Sequence, residues 1–330
     1  MCCVLTLNNM EIIGCDLGGT NLRAGIVDLE GGRVYHLRST PTLAREGHAA
    51  VIVRMGALIE QVISDGDLSK NDVRCIGIGV PGMLDLERGL TLLLPNLPGT
   101  WPEVPLRDTI ADYTGLPTAI INDARAITYG EWCFGAGRGV DTMACFTIGT
   151  GIGGGLVING RLHLGIGGTG GELGHQMIDY NGPTCGCGNR GCLEAYASGS
   201  TIAANGVKAV CQGRTTIIGE LVNFDLNKIN PRIIAQAAAQ GDEIAQVIIE
   251  DAGYYIGIAA ANVCVSIGPR KIVIAGGVAQ IGEPILAPIR RTLLERVTIM
   301  PVEQVEVVQA QLGGDAGVIG AAMWAVESLK

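Results

Sequence analysis

Apolar residues fall into short runs that glycine pairs interrupt. EIIGCDLGGT, NLRAGIVDLEGG and RVYHLRST, beginning at residue 11, read as three strands turning at Gly18, Gly19, Gly31 and Gly32, an antiparallel meander. A helical period follows from about residue 45 to 63. After it come the apolar β run RCIGIGVPG, the proline-rich segment PNLPGTWPEVP and the short strand PTAIIND. Asn122 and Asp123 therefore fall where a strand ends and the helix ARAITYGEW begins.

The second half opens the same way, with TMACFTIGT as a strand, GIGGG as a turn and LVINGRLHLG as two further short strands. Strand, glycine turn, strand thus recurs as a weak internal repeat. Helical periodicity runs from residue 198 to 266 with a break at Asn230 and Pro231. A strand KIVIAGG, a helix over 283–297, a strand VEVVQAQ and a terminal helix over 316–329 complete the chain. Meanders alternating with helices predict α/β halves with mixed sheets, and 330 residues exceed what one core usually serves, so two domains are expected. The longest apolar stretch, 256–267, is interrupted by Gly257, Asn262 and Ser266. It is short for crossing a bilayer and reads as a buried helix.

Composition narrows the class. Hydrophobic residues make up 48% and charged ones 17%, which suits a packed globular protein. A net charge of −9 argues against binding nucleic acid through phosphates. The first nine residues lack Lys and Arg and make a poor secretory signal, so a cytoplasmic protein without membrane attachment is expected. Eleven cysteines, an odd number, fit a reducing compartment better than a disulfide framework. Cys2 and Cys3 precede the first strand, and Met1 and Met10 both remain candidate starts.

The fifty glycines cluster where chemistry is plausible. Phosphoryl transfer requires that terminal phosphates be fixed and neutralised, which glycine turns with inward N–H groups achieve. DLGGTNLR supplies Asp16, Gly18, Gly19, Thr20, Asn21 and Arg23, with Asp16 able to hold Mg²⁺ directly or through water. GTGIGGG supplies Gly149, Thr150, Gly151 and Gly153 at the equivalent place in the repeat. Either loop alone can be an ordinary turn; two at equivalent places favour phosphate binding. The chain has no GxxxxGK[ST], and GTGIGG lies in a hairpin and not before a helix, against a Rossmann site. AGGVAQ places Gly276 and Gly277 after a strand, fitting nucleotide contact or a plain strand-to-helix turn. LGGDAGVIGAA fits either a site or close helix packing.

HQMIDYNGPTCGCGNRGC brings His175, Cys185, Cys187 and Cys192 within eighteen residues. Cys₃His is a closed ligand set for tetrahedral zinc, leaving no position for water, so a structural ion is expected.

Together DLGGTNLR, NDARA, GTGIGGG, GELGH and CGCGNRGCLE resemble the ROK family of sugar kinases and repressors, its glucokinases most of all. The resemblance implies an actin-like ATPase (ribonuclease H-like) fold with a cleft between two domains. These would be a small one of 1–122 plus about 311–330, and a large one of 123–310 that carries the zinc loop 175–192. It implies ATP and a hexose as partners, Zn²⁺ and Mg²⁺ as cofactors, and a homodimer or homotetramer. It implies Asp123 as the base that deprotonates the sugar hydroxyl, and Asn96, Asn122, Glu172, His175 and Glu194 as sugar-binding residues together with Asp123. His175 would give one ring nitrogen to zinc and the other to a hydroxyl. D-glucose is the first expected acceptor; another hexose or an amino sugar such as N-acetylmannosamine is the alternative, and polyphosphate or ADP competes with ATP as donor. A sugar-responsive repressor is disfavoured because only about ten residues precede the first loop and that loop is intact. The chain departs from the family pattern at Arg125, where Asn is usual, and in an extra residue before Trp101.

Overall fold

The computed structural model describes residues 10–330, so the alternative start at Met1, Cys2 and Cys3 lie outside the described residues. Strands β1 (Glu11–Leu17), β2 (Asn21–Val27) and β3 (Val34–Pro41) form the expected antiparallel meander. Helix α1 (His48–Asp65) leads into β4 (Val73–Val80), which pairs parallel with β1, and β7 (Thr118–Asn122) pairs parallel with β4. Between them lie the hairpin of β5 (Met83–Asp85) and β6 (Leu90–Leu93) and the helix α2 (Leu106–Thr114). The first sheet therefore has the order β3-β2-β1-β4-β7.

Helix α3 (Asp123–Phe134) precedes β8 (Met143–Ile148), β9 (Ile152–Ile158) and β10 (Arg161–Leu162). Helices α4 (Glu194–Ala197), α5 (Gly199–Cys211), α6 (Ile218–Leu221), α7 (Pro231–Ala239) and α8 (Glu243–Ile267) follow. Then come β11 (Lys271–Ala275), α9 (Glu283–Arg296), β12 (Glu306–Gln309) and α10 (Ala316–Ser328). The second sheet runs β10-β9-β8-β11-β12, with β11 parallel to both β8 and β12. Meander strands at one side and parallel strands at the other repeat the plan of the first sheet. This is the duplicated α/β arrangement of the actin-like ATPase fold.

Two compact units emerge. One comprises the chain up to Gly139 with Gly155–Gly171 and Gln311–Lys330; the other comprises Val140–Gly154 and Glu172–Ala310. The boundary expected after residue 122 runs through the β7–α3 junction, and α3 packs in the first unit against α10. That packing is backbone to backbone: a Cβ on Gly320 would lie 1.7 Å from the Ala126 carbonyl, and one on Gly77 would lie 1.9 Å from that of Ala321. The small residues of LGGDAGVIGAA are thus required where α10 lies on β4 and α3. In the second unit α8 is long and apolar enough to cross a bilayer, but most of its apolar window is buried, and it packs on α7 and α9.

The segment expected as a GIGGG turn is shorter than that. Only residues 149–151 turn, and Gly153 already belongs to β9. Gly154 is a strand residue without a side chain because a Cβ there would press on Leu173 and the Cys145 carbonyl, each at 2.8 Å.

Candidate active site

In the first unit, three parallel neighbours end together. Asp16 on β1 is in register with Gly79 on β4, and the next β4 residue, Val80, with Asn122 on β7. Asp16 and Asn122 are thus separated by a single strand, on the order of 10 Å. The carboxyl ends of parallel strands are where α/β sheets bind ligands.

The loop after β1 is a tight turn in which the Gly18 N–H donates to the Asn21 carbonyl at 2.9 Å. Thr42 secures it from β3's end: its N–H donates to Thr20 and its hydroxyl to the Gly18 carbonyl at 2.6 Å. Asp16 keeps a partial opening to solvent but is crowded by protein. Burial raises its carboxyl above the ordinary range, and the opposing charge of Arg23 pulls it back. Gly79 and Gly317 flank the carboxylate, where a Cβ on either would come within 3.4 Å of its atoms. Arg23, in register with Asp16, donates to the Gly314 carbonyl and to Asp315 at 2.7 Å. Its guanidinium therefore grips the turn ahead of α10.

Asn96 is exposed between buried Leu94 and Leu97, and its carbonyl would lie 3.6 Å from a Cβ on Gly19. The glycine loop after β1 and Asn96, expected from the sequence to bind sugar, are therefore neighbours. Beyond it, Thr100 and Trp101 hold left-handed backbone.

Asn122 caps α3. Its Oδ1 accepts from the N–H groups of Ala124 at 3.0 Å and Arg125 at 3.2 Å, and its Nδ2 donates to the Gly82 carbonyl at 3.0 Å. Asp123 is the first helical residue and half-buried; its Oδ1 accepts from the Ala124 N–H at 2.8 Å. The helix N-terminus favours a negative charge there.

In the second unit, residues 149–151 join β8 to β9, and the Gly149 N–H donates to the Gly151 carbonyl. The turn is held from the start of α5, where Gly199 N–H donates to Gly149 and the Ser200 hydroxyl to the Thr150 carbonyl at 2.9 Å. Gly276 (φ 87°) packs against Ile148 so closely that a Cβ would meet its carbonyl at 2.4 Å, which brings Gly276 and Gly277 beside the same turn.

Glu172 precedes the helical turn Leu173–His175, and Glu194 opens α4. The ligand atoms of His175, Cys185, Cys187 and Cys192 all lie within 4.8 Å of one another. Zinc bonds of about 2.3 Å to sulfur and 2.1 Å to nitrogen set tetrahedral ligand atoms roughly 3.6–3.8 Å apart. Cys185 Sγ lies 3.8 Å from His175 Nδ1, and Cys187 Sγ lies 3.8 Å from Cys192 Sγ, so these two pairs match tetrahedral zinc and the residue set fits the ion. The nine described cysteines are free of disulfides.

The structure thus groups Asp16, Gly18, Gly19, Thr20, Asn21, Arg23, Asn96, Asn122 and Asp123 on the first unit. It groups Gly149, Thr150, Gly151, Gly153, Gly276, Gly277, Glu172, His175, Glu194 and the cysteines on the second. Sequence reasoning missed Ile152, whose N–H binds Glu194, and Glu131, a fully buried carboxylate on α3. An acidic residue amid the apolar positions of a helix was the available signal for Glu131.

A family model described as the ROK family matches residues 12–328. A glucokinase of Thermotoga maritima is 37% identical over 313 residues, covering 95% of this chain and 96% of that protein. An N-acetylmannosamine kinase of Citrobacter koseri is 33% identical over 318 residues, covering 96% of this chain and 99% of its own. The crystal structure of a ROK family glucokinase from Streptomyces griseus in complex with glucose and AMPPNP superposes with a TM-score of 0.82 at 33% identity, covering 96% of this chain and 99% of that one. The loops, the helix cap and the Cys₃His cluster described above therefore sit in a chain that belongs to the ROK family.

Proposed function

We propose that the chain is an ATP-dependent hexose kinase that converts D-glucose to glucose 6-phosphate. The observation that carries this reading is the pair of carboxylates at the ends of β1 and β7, which β4 separates: Asp16 on β1 just ahead of a glycine loop suited to phosphates, and Asp123 on the first turn of the helix after β7. Phosphoryl transfer asks the protein mainly for positioning and charge neutralisation. In this reading Asp123 accepts the proton of the attacking hydroxyl, whose oxygen bonds to the γ-phosphorus as the bond to the ADP oxygen breaks. Asp16 would hold the Mg²⁺ that accompanies the nucleotide, and the turns at 18–21, 149–151 and 276–277 would present amides to its phosphate oxygens.

Asn96, Asn122, Glu172, His175 and Glu194 are assigned to the hydroxyls of the sugar, a set of amides and carboxylates that rejects analogues lacking a hydroxyl. Asn122 also caps the helix that carries the base. Zinc, when bound by His175, Cys185, Cys187 and Cys192, supplies a cross-link that fixes the loop's shape. The Nδ1 atom of His175 faces the cysteines, which leaves Nε2 for a hydroxyl.

The glucose assignment is supported by the glucokinases of T. maritima and S. griseus. A second reading, phosphorylation of N-acetylmannosamine, is favoured by the C. koseri relative. A coupled assay with ATP, Mg²⁺ and a sugar panel separates them. Glucose with the highest kcat/KM is expected, and a large excess for N-acetylmannosamine overturns the first choice. Asp123→Asn is expected to abolish kcat with hexose binding retained, and retained turnover refutes the base.

A further inference from the structure

Arg125 is 1% exposed on the first turn of α3. Two effects oppose a positive charge there: burial of a guanidinium costs several kcal/mol, and the positive end of the helix dipole repels it. Hydrogen bonds offset that cost. Nη1 donates to Asn122 Oδ1 at 2.8 Å, and Nε donates to the Gly170 carbonyl at 3.0 Å. The first acceptor is the oxygen that caps α3. The Ala124 N–H that reaches this oxygen also reaches Asp123 Oδ1, so guanidinium, cap and carboxylate form one connected set. The second acceptor closes the neck of the loop 164–170, where the Gly170 N–H donates to the Leu164 carbonyl at 2.6 Å while Ile166 at the tip is 92% exposed. Gly171 (φ 86°) then seats the chain on β9, where a Cβ would meet the Gly155 Cα at 2.9 Å.

We propose that Arg125 is a positioning residue that locks the N-terminal turn of α3, and Asp123 with it, to the segment at Gly170 that runs directly into Glu172. The inference rests on the assignment of Asp123 as base and Glu172 as a sugar ligand. The planar fork of arginine spans two acceptors that face it from different directions, which the single ammonium of lysine cannot. Displacement of a reacting group by about 1 Å costs on the order of 100-fold in rate, which sets the scale of the effect.

The test compares Arg125→Lys, Arg125→Met and Arg125→Ala with the full-length wild type, with ATP and the best hexose of the panel. The expected result for folded Ala and Met variants is a kcat lower by roughly 100-fold and a raised hexose KM, with the KM for ATP unchanged. Guanidinium ion added at non-denaturing concentration is expected to restore the kcat of Arg125→Ala saturably without stimulating wild type. A loss that falls equally on both substrates, or that guanidinium leaves untouched, overturns the proposal by marking a general loosening. Should the Ala and Met variants fail to fold, Arg125→Lys decides: lowered kcat with a raised hexose KM alone supports the lock, and wild-type kinetics overturn it. Asp123→Asn assayed in parallel keeps the two assignments apart, because turnover in that variant refutes the base while guanidinium rescue still reports on Arg125.

Discussion

The carboxylate of Glu194 accepts the backbone N–H of Ile152 at 2.8 Å while its other oxygen lies 3.7 Å from Cys185 Sγ. One side chain therefore ties the Cys₃His loop to the turn at residues 149–151. The tie explains the residue at the tip of that turn, since a Cβ on Gly151 would lie 2.3 Å from the same carboxylate oxygen. Gly151→Ala must push Glu194 or the turn aside. Both the hexose KM and the ATP KM are expected to rise, because one end of the displaced pair is assigned to sugar and the other to nucleotide. Isothermal titration with glucose and with AMPPNP checks this, and an unaltered affinity for either ligand contradicts the tie.

Zinc is expected to act on stability and sugar affinity through that loop. Cys187→Ser removes one of four ligands and should take bound zinc from one ion per chain to none, measured by elemental analysis. Thermal unfolding should shift downward and hexose KM should rise. A metal-free variant with wild-type melting and hexose KM rules out the structural role.

Much of this was legible in the sequence because it is local. The strand, glycine turn, strand pattern needs only neighbours in the chain, so β1, β2, β8 and the turn at 18–19 follow from alternation and glycine spacing, while the second turn was expected in the right place but too long, because Gly153 and Gly154 belong to β9. The zinc set is local too, with four ligands inside eighteen residues. The contacts that bind distant parts of the chain were not legible. Arg125 meets Gly170 and Glu131 meets Gln311 across long separations, and no periodicity encodes which backbone group a buried charge will find. The β5–β6 hairpin and α2 were missed for a different reason. Their strands are three and four residues long, and the prolines around 95–105 mask the helix start at Leu106.

Asp16 should respond to mutation with opposite signs in stability and catalysis. Burial holds its folded pKa above the unfolded value of about 3.9. Its contribution is thus most favourable below that value and is lost as pH rises through the folded pKa, so at neutral pH the ionised carboxylate costs stability. Asp16→Asn removes the cost: without nucleotide the variant should melt higher than wild type at pH 7, with the gap closing toward pH 3. The extra stability conferred by Mg²⁺ with AMPPNP should shrink and kcat should fall sharply. Melting curves across pH, with and without Mg²⁺, decide; an Asn variant less stable at pH 7 than wild type, both without nucleotide, negates the desolvation argument.

Glu131 is fully buried, and its carboxylate accepts three backbone N–H groups: Ala136 at 2.8 Å, Gln311 at 3.0 Å and Leu312 at 2.8 Å. It anchors the end of α3 and the return of the chain toward α10, whose next turn holds Arg23. Glu131→Gln keeps the volume but removes the charge and turns an acceptor into an amide that confronts N–H donors. Charged hydrogen bonds contribute about 1.5–3 kcal/mol each, and an unsatisfied buried donor costs a similar amount. The variant should lose about 2–4 kcal/mol in urea unfolding monitored in the first unit. Neither Asp123 nor the sugar-assigned residues touch Glu131 in these hydrogen bonds, so the folded variant below its transition should keep the hexose KM of wild type. A stability within error of wild type contradicts the anchoring role.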